Sequence, residues 1–331
     1  MSIELAYALR NGKVENIYRG DIVVVNVKDE VLFELGSRFK KTYWRSSAKP
    51  FQVLPFIEAG GLERYKIKGE ELALMCSSHG GETGHLDAVR VLLDKIGFEE
   101  SDLHCGSAPP MYWPAAKEVL RNQKDYTQYH NCCSGKHSGM LAIAAIKGYK
   151  TAYYEAIEHP LQQEVLDIAS ELAGIKKEDI GVGVDGCGAP IFYMPILNMA
   201  KAYAILSKPE ILENKKRCQA MQQVVGAMTA NPWYVAGTRR LDTILMEVTK
   251  GRLLAKLGAD GVYCVSIVGK GIGLALKIEC GEIKVIEPVI IELLRRLEYI
   301  DHQEEQEMIN RLDLSIYNHR KEMIGELKAG F

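Results

Sequence analysis

The sequence predicts an α+β fold, because segments with strand patterns lie at both ends of the chain and helical segments fill its middle. Strand patterns occur at 4–9 and 21–27, before the helical part, and at 261–268 and 273–280, after it. In a compact protein, the early and late strands would pair in one antiparallel sheet. We therefore expect a sheet lobe and a second, largely helical lobe.

The other elements follow from apolar periodicity and from residues that favour turns. A third strand is predicted at 31–34, and Gly269-Lys270-Gly271 marks a hairpin turn between the two late strands. Helices are predicted at 51–59, 85–96, 138–146, 160–173, 210–228, 242–249 and 288–299, and the charged tail at 303–327 is expected to be helical as well.

The composition argues against several classes of protein. The chain carries a formal net charge of −2, with 41 basic against 43 acidic residues, so nothing favours nucleic acid or an acidic membrane as a partner. The first residues lack the basic segment and apolar core of a secretory signal, and no apolar run approaches the ~20 residues of a membrane helix. We therefore expect a cytoplasmic protein whose 8 cysteines are mostly reduced.

The segment from Arg45 to Lys49 places Ser46 and Lys49 three residues apart, just before a predicted helix. Residues i and i+3 lie on one face of a helix, so the serine hydroxyl and the lysine amine can touch. A serine needs a neighbouring base to become a nucleophile, and a desolvated lysine can be that base. The same Ser-x-x-Lys pattern occurs in serine β-lactamases and penicillin-binding proteins. A solvated helix start is the alternative for this motif alone.

A run of small and polar residues from Cys76 to Gly84 predicts a tight loop in which the backbone can approach a ligand. Its Ser78 supplies a second hydroxyl that can transfer a proton. An ordinary glycine-rich turn has the same composition. His79 and His85 also fit structural histidines, an interpretation that we favour for His85.

Two cysteine-containing segments indicate a candidate metal site. The first holds Cys133 and Lys136 before an apolar helix, and the second holds Asp185 and Cys187 at a glycine turn. Two thiolates with a nearby Asp, His or Lys can hold a tetrahedral zinc ion. The spacing matches no common zinc finger, and a lysine ligand must first lose its proton. Buried, inert cysteines are the alternative.

The late triplet Lys256-Leu257-Gly258 has the Lys-x-Gly form found in penicillin-recognising enzymes, and it completes a pattern over nearly the whole chain. The segments RSSAKPFQ, CSSHGGE, CSGKHSGM, DGCGAP and KLGADG resemble the Rhizobium etli-type L-asparaginases, also called the asparaginase II family. The resemblance implies a serine β-lactamase/glutaminase-like fold, a homodimer, and hydrolysis of L-asparagine to L-aspartate and ammonia. Residues 1–331 would form a single β-lactamase-like catalytic unit, with the sheet lobe at about 1–45 and 250–331 and the helical lobe at about 50–250.

The resemblance also implies the residues of the site. Ser46 is expected to be the nucleophile, and the other catalytic residues are expected to be Lys49, Ser78 and Lys256. The residues expected near the substrate are Arg45, Asp185 and His79, and those expected to bind Zn²⁺ are Cys133, Lys136 and Cys187. The zinc ion would serve substrate orientation and affinity rather than activation of the attacking water.

One departure from the family lies beside these metal ligands, because the family commonly has asparagine where this chain has Cys132. A second thiol there can alter metal affinity, serve as an alternative ligand or oxidise with Cys133. The sequence also leaves open whether Arg240 and Asp242 support catalysis or form a structural ion pair, and we favour the ion pair.

Three other functions stay open at this stage. A β-lactamase or peptidase would use the same chemistry on a cyclic or peptide amide. A glutaminase differs by one methylene of the substrate, which a pocket discriminates by about 1–3 kcal/mol. A non-catalytic protein that binds zinc or an amino acid would not need the four catalytic residues, all of which are present.

Overall fold

The computed structural model describes residues 2–331. Its strands are β1 (Ile3–Arg10), β2 (Lys13–Asn26), β3 (Val31–Leu35), β4 (Lys41–Tyr43), β5 (Gly181–Val184), β6 (Pro190–Pro195), β7 (Leu253–Gly258), β8 (Val262–Ile267), β9 (Ile272–Ile278), β10 (Ser315–Tyr317) and β11 (Met323–Ala329). Its α-helices are α1 (Lys49–Gln52), α2 (Leu54–Glu58), α3 (Gly61–Arg64), α4 (Gly69–Met75), α5 (Thr83–Ile96), α6 (Trp113–Arg121), α7 (Ser134–Lys147), α8 (Pro160–Ala173), α9 (Ile196–Ser207), α10 (Lys215–Ala230), α11 (Pro232–Ala236), α12 (Leu241–Val248), α13 (Ile286–Arg296) and α14 (His302–Leu312).

The described chain divides into two compact units. The sheet unit comprises 2–42, Met194–Lys208 and Arg239–Phe331, and the helical unit comprises Tyr43–Tyr193 and Pro209–Thr238. The predicted single catalytic unit over the whole chain stays a prediction.

One antiparallel sheet forms the centre of the sheet unit. Its strand order is β10-β11-β1-β2-β9-β8-β7, and β3 also pairs with β2. The early strand β2 pairs with the late strand β9, with Val23 opposite Ala275, and β1 pairs with β11 at the end of the chain. The prediction that early and late strands join in one antiparallel sheet is confirmed.

Helices cover both faces of the central strands, which explains why β8 is buried at every position. On one face, apolar side chains of the strands form a core with α12, α13 and α14. On the other face, α9 approaches so closely that a Cβ atom on Gly273 would lie 2.1 Å from the carbonyl oxygen of Ala200. This packing places α9 and α12 in the sheet unit, although both fall within the range predicted for the helical lobe.

The helical unit contains α1 to α8, α10 and α11, together with β5 and the first four residues of β6, which pair antiparallel. Its helix α7 is buried along its whole first part, from Ser134 to Ala144. The antiparallel sheet built from both chain ends, with a helical unit formed by the middle of the chain, confirms the predicted α+β fold.

Two local predictions are wrong. The helix predicted at 51–59 is split into α1 and α2, because Pro55 stands in the first turn of α2, where a missing N–H costs nothing. In the tail, the helix ends at Leu312, and Asp313 adopts a left-handed φ of 52°. The strands β10 and β11 follow, because pairing of β11 with β1 outweighs the local charged pattern.

Candidate active site

The Ser-x-x-Lys segment begins with strained backbone. Residues Arg45–Ala48 form a 3₁₀ turn that leads into α1, and Arg45 has φ 53°, in the left-handed region. Such a conformation costs about 1–3 kcal/mol in a residue with a side chain. The guanidinium of Arg45 donates to Oδ1 of Asp185 from Nε at 3.1 Å and from Nη2 at 2.8 Å. These bonds join the turn to the glycine-rich loop after β5.

Lys49 is fully enclosed in the helical unit, with 1% of its surface exposed. Its Nζ donates to the carbonyl oxygen of Ser77 at 2.5 Å, to Oγ of Ser78 at 2.9 Å and to Sγ of Cys133 at 3.3 Å. These three bonds use the three N–H groups of an ammonium ion.

The side chains of Lys49 and Ser46, which the spacing allows to touch, are not joined by a hydrogen bond in the described residues. Among the described residues, the half-buried hydroxyl of Ser46 has no hydrogen-bond partner, and the two residues are joined only by the backbone bond from Lys49 N to Ser46 O. The lysine side chain instead turns inward to the loop after α4. The amine therefore pairs with the second serine, Ser78.

That loop is held in place by main-chain bonds on both sides. Ser78 N donates to Val235 O at 2.9 Å, and His79 N donates to Cys132 O at 3.2 Å. Gly81 has φ 73°, and a Cβ atom there would lie 2.8 Å from the ring of Pro110. A glycine is required at this position because both the left-handed conformation and the close approach exclude a side chain.

His79 is fully buried, and both of its ring nitrogens are engaged by the chain. Nδ1 accepts from Gly81 N at 3.1 Å, and Nε2 lies 2.8 Å from Oγ of Ser134. Since Nδ1 accepts, the proton is on Nε2 and is donated to Ser134. Burial holds the pKa of His79 well below its usual range, with further lowering by His85 and Lys49. These contacts fix the loop, and a role of His79 in substrate binding stays a prediction.

Two thiols and a carboxylate meet where α7 begins and where the loop after β5 turns. One ligand atom from each of Cys133, Asp185 and Cys187 lies within 4.8 Å of the other two. Thiolate sulfur and carboxylate oxygen are both ligands of Zn²⁺, so this group can hold a metal ion. Cys132, the residue that departs from the family, places its Sγ 3.9 Å from Sγ of Cys133.

The thiol cluster favours a negative charge on its central member. Hydrogen bonds from Cys132 and Cys187 hold the pKa of the Cys133 thiol well below its usual range, and the positive charges of Lys49 and Lys136 act in the same direction. Donation to Cys133, together with burial, raises the pKa values of Cys132 and Cys187. Cys133 is therefore the thiol that ionises first.

Lys136, predicted as a metal ligand, is a hydrogen-bond donor here. Its Nζ donates to Sγ of Cys187 at 3.0 Å. Burial would lower the pKa of Lys136, but its interaction with Cys187 and the negative charge of Cys133 outweigh burial and raise it above its usual range. A protonated amine has no lone pair for a metal ion, so Lys136 would have to lose its proton before it could bind one.

The second predicted lysine, Lys256, lies on β7 of the sheet unit and is completely buried. Its Nζ donates to Leu257 O at 3.0 Å and lies 3.4 Å from Oδ2 of Asp242. Asp242 is thus paired with Lys256. The favoured interpretation, an ion pair between Asp242 and Arg240, is wrong. Sequence reasoning missed this partner. The sequence did contain a signal for it. A lysine in a buried strand needs a counter-charge, and the preceding predicted helix carries an acidic residue in its first turn.

Buried imidazoles predict that acid destabilises the protein. Burial lowers the pKa values of His79, His85 and His137 in the folded state. The unfolded chain takes up protons as the pH falls through ~6.5, whereas the folded chain does not, so stability is retained above that pH and lost below it. Each such imidazole contributes up to about 1.4 kcal/mol per pH unit to the slope of the unfolding free energy.

Denaturant unfolding between about pH 7.5 and 5.5 checks this expectation. The His79→Gln variant should reduce the slope, and His302→Gln should leave it unchanged, because the His302 side chain is 82% exposed. A stability that does not change over this pH range would contradict the expectation.

Within the helical unit, the structure thus brings together the Ser-x-x-Lys turn, a buried lysine bonded to a second serine, and a group of thiols. The family model for L-asparaginase II matches residues 6–329, nearly the whole chain. The chain therefore belongs to the L-asparaginase II family and is an amidohydrolase.

The other comparisons are more distant. A structure named as a β-lactamase candidate from Bacteroides dorei DSM 17855 shares 15% identity at a TM-score of 0.44 and covers 83% of this chain and 93% of its own. A β-lactamase from Mycobacterium bovis shares 12% identity at a TM-score of 0.36, with coverage of 80% and 88%. Among curated protein sequences, none matches. In residues 2–331, no helix has the length and apolar character needed to span a bilayer.

Proposed function

We propose that the protein hydrolyses the side-chain amide of L-asparagine to L-aspartate and ammonia, with Ser46 as the nucleophile. The observation that supports this most is the buried Lys49 amine, which is hydrogen-bonded to Ser78 and lies three residues after Ser46. An amide is a poor electrophile, so its hydrolysis needs a base for the attacking hydroxyl and an acid for the leaving nitrogen. A lysine and a second serine can serve both steps.

In the proposed reaction, Oγ of Ser46 attacks the side-chain carbonyl carbon, and its proton passes to Lys49 and Ser78. The C–N bond then breaks, and the proton goes to the leaving nitrogen, which departs as ammonia. A water molecule attacks the resulting aspartyl ester, releases L-aspartate and restores the Ser46 hydroxyl.

Lys49 can accept a proton only in its neutral form, which has two N–H groups and one lone pair. The hydrogen bond with Ser78 would then reverse, so that the Ser78 hydroxyl donates to the amine. This reversal makes Ser78 the proposed path for the proton between Lys49 and the leaving nitrogen. Lys256 is proposed as the second catalytic lysine on the resemblance of its Lys-x-Gly triplet.

Arg45 and Asp185 are proposed to bind the two charged groups of the amino acid. A guanidinium matches a carboxylate with two parallel hydrogen bonds, and a carboxylate attracts an ammonium group. The two side chains bond to each other in this structure. On binding, the substrate's α-carboxylate would take the place of Asp185 at the Arg45 guanidinium, and its α-amine would take the place of Arg45 at the Asp185 carboxylate. His79 is proposed to act near the substrate, through the loop that it fixes.

Cys133, Cys187 and Lys136 are proposed to bind Zn²⁺. When bound, the ion supplies positive charge that orients the substrate and increases its affinity. Asp185 belongs to the donor group of this structure and needs no loss of a proton, in contrast to Lys136. We therefore propose Asp185 as an additional zinc ligand, because it can bind the ion while Lys136 is still protonated.

Zinc binding should depend on Cys187. The Cys187→Ala variant is expected to bind Zn²⁺ at least ~100-fold more weakly, since even partners of metal ligands contribute 10–100-fold to affinity. Competition with a chromogenic zinc chelator measures the affinity directly. The matched control is Cys218→Ala, which removes a buried thiol from α10. Equal zinc affinities in the two variants would contradict the assignment.

Ammonia release by the purified protein tests the proposed substrate. We expect L-asparagine to react faster than L-glutamine by about 10–200-fold, the range given by one methylene in a pocket. A chromogenic cephalosporin should not be hydrolysed. Faster ammonia release from L-glutamine would indicate a glutaminase. Turnover of the cephalosporin alone would indicate a β-lactamase, and turnover of none of the three compounds would indicate a binding protein.

The family resemblance also supports two expectations about the protein in the cell. We propose that it works as a homodimer in the cytoplasm and that a small amino acid, rather than a nucleic acid or a membrane, is its partner. Sedimentation of the purified protein measures the oligomeric state.

A further inference from the structure

We propose that Asp242 is a positioning residue of the reaction, which holds the amine of Lys256 in one place. The inference rests on the proposed function, in which Lys256 is a catalytic lysine. It assigns to Asp242 a role that acts through Lys256 and not through contact with the substrate.

The carboxylate of Asp242 is fixed to the strand that carries Lys256. Asp242 lies in the first turn of α12 and is 2% exposed. Its Oδ2 accepts the N–H of Leu257 at 3.0 Å and lies 3.4 Å from Nζ of Lys256. Because β7 is the last strand on its side of the sheet, the Leu257 N–H would otherwise lack an acceptor. One carboxylate oxygen thus serves both the backbone and the amine.

The amine of Lys256 is held at two points. A lysine ends in a compact charge on a flexible four-carbon stem, so one contact does not fix its position. Here Nζ bonds to Leu257 O at 3.0 Å as well as facing Asp242. Both groups are buried, and a buried ammonium without an anion is strongly disfavoured. The pair therefore holds the amine in one position.

Tyr263 on β8 is a second buried side chain that interacts with Asp242. Burial, together with the charge of Asp242, raises the pKa of Tyr263 well above its usual range, so this phenol stays neutral. Glu287, the other carboxylate that acts on Tyr263, is paired with Lys284 at 2.6 Å.

A double-mutant cycle tests the inference. Asp242→Asn keeps the size of the side chain and an oxygen for Leu257 N–H but removes the charge. We expect kcat on L-asparagine to fall by about 30-fold, within the range seen when an orienting partner is lost, with little change in KM. When the Lys256→Met variant already lacks the amine, Asp242→Asn should lower kcat no further, because the residue acts only through Lys256.

Two variants separate positioning from stability. Glu287→Gln is the control, because Glu287 is a buried carboxylate of the sheet unit that pairs with Lys284 instead of Lys256. This variant should leave kcat unchanged. Asp242→Glu keeps the charge one methylene further out. If the Asp242→Asn variant does not fold, Asp242→Glu replaces it in the test. We expect Asp242→Glu to lower kcat by about 3–10-fold in the wild-type background and not to lower it in the Lys256→Met background. Unfolding midpoints are measured for every variant.

The outcomes are distinct. A wild-type protein that releases no ammonia overturns the proposed function and this inference with it. An active wild-type protein whose Asp242→Asn variant keeps its kcat overturns the inference alone. Equal losses from Asp242→Asn with and without Lys256 would show that Asp242 acts independently, and would also overturn it.

Discussion

Replacement of Ser46 by alanine should lower turnover of L-asparagine by at least ~1,000-fold, the scale of loss when the nucleophile of a serine hydrolase is removed. The hydroxyl is half-buried and has no hydrogen bond with a described residue. Its removal should therefore leave the free energy of unfolding nearly unchanged. Steady-state ammonia release, together with a denaturant unfolding curve, measures both quantities in one preparation.

The neighbouring serine provides the control for this variant. Ser47 is adjacent in the chain, and its side chain is fully buried. The Ser47→Ala variant should keep its turnover even if it loses some stability. If Ser47→Ala abolished turnover and Ser46→Ala did not, the nucleophile would be assigned to the wrong residue of the turn.

Replacement of Lys49 by methionine should be similarly severe, again about 1,000-fold in kcat. The amine contacts Ser77 O, the Ser78 hydroxyl and the Cys133 thiol, and the substitution removes all three bonds. The methionine keeps the apolar stem but leaves buried acceptors unpaired, at a cost of about 1–3 kcal/mol each. Both turnover and stability should fall.

A control at a second buried lysine, Lys277, separates the loss of turnover from the loss of stability. Nζ of Lys277 is also held by main-chain carbonyl groups, those of Asp260 and Ile278, and within residues 2–331 it donates to no serine hydroxyl or thiol. Lys277→Met should therefore lose stability without a comparable loss of turnover. A mild effect of Lys49→Met on kcat would transfer the role of base to Lys256.

Much of the fold could be predicted because its signals are local. The helix at 160–173 begins with Pro160 and ends before Gly174, and the structure has it at Pro160–Ala173. The pairing of early with late strands followed from their order in a compact chain. The C-terminal strands could not be predicted, because β11 depends on the distant strand β1 rather than on its own charged sequence.

The site could be predicted as a set of residues but not as a set of contacts. Cys133 and Cys187 were both expected at the metal site, and one ligand atom of each lies within 4.8 Å of the other. The bond from Lys49 to Cys133 could not be foreseen, because the two residues lie on different helical segments and 84 positions apart. The same holds for Asp242 and Lys256, which meet only when α12 packs against β7.

The most direct test of serine-dependent asparagine hydrolysis is to locate the covalent intermediate. The protein is mixed with excess L-asparagine, quenched in acid within the first turnovers, digested with trypsin and analysed by mass spectrometry. The proposed mechanism predicts one aspartyl ester on the peptide that begins at Ser46, and its absence from the Ser46→Ala protein. An aspartyl ester on the peptide that carries Ser78 would contradict it, as would ammonia release at the wild-type rate by Ser46→Ala.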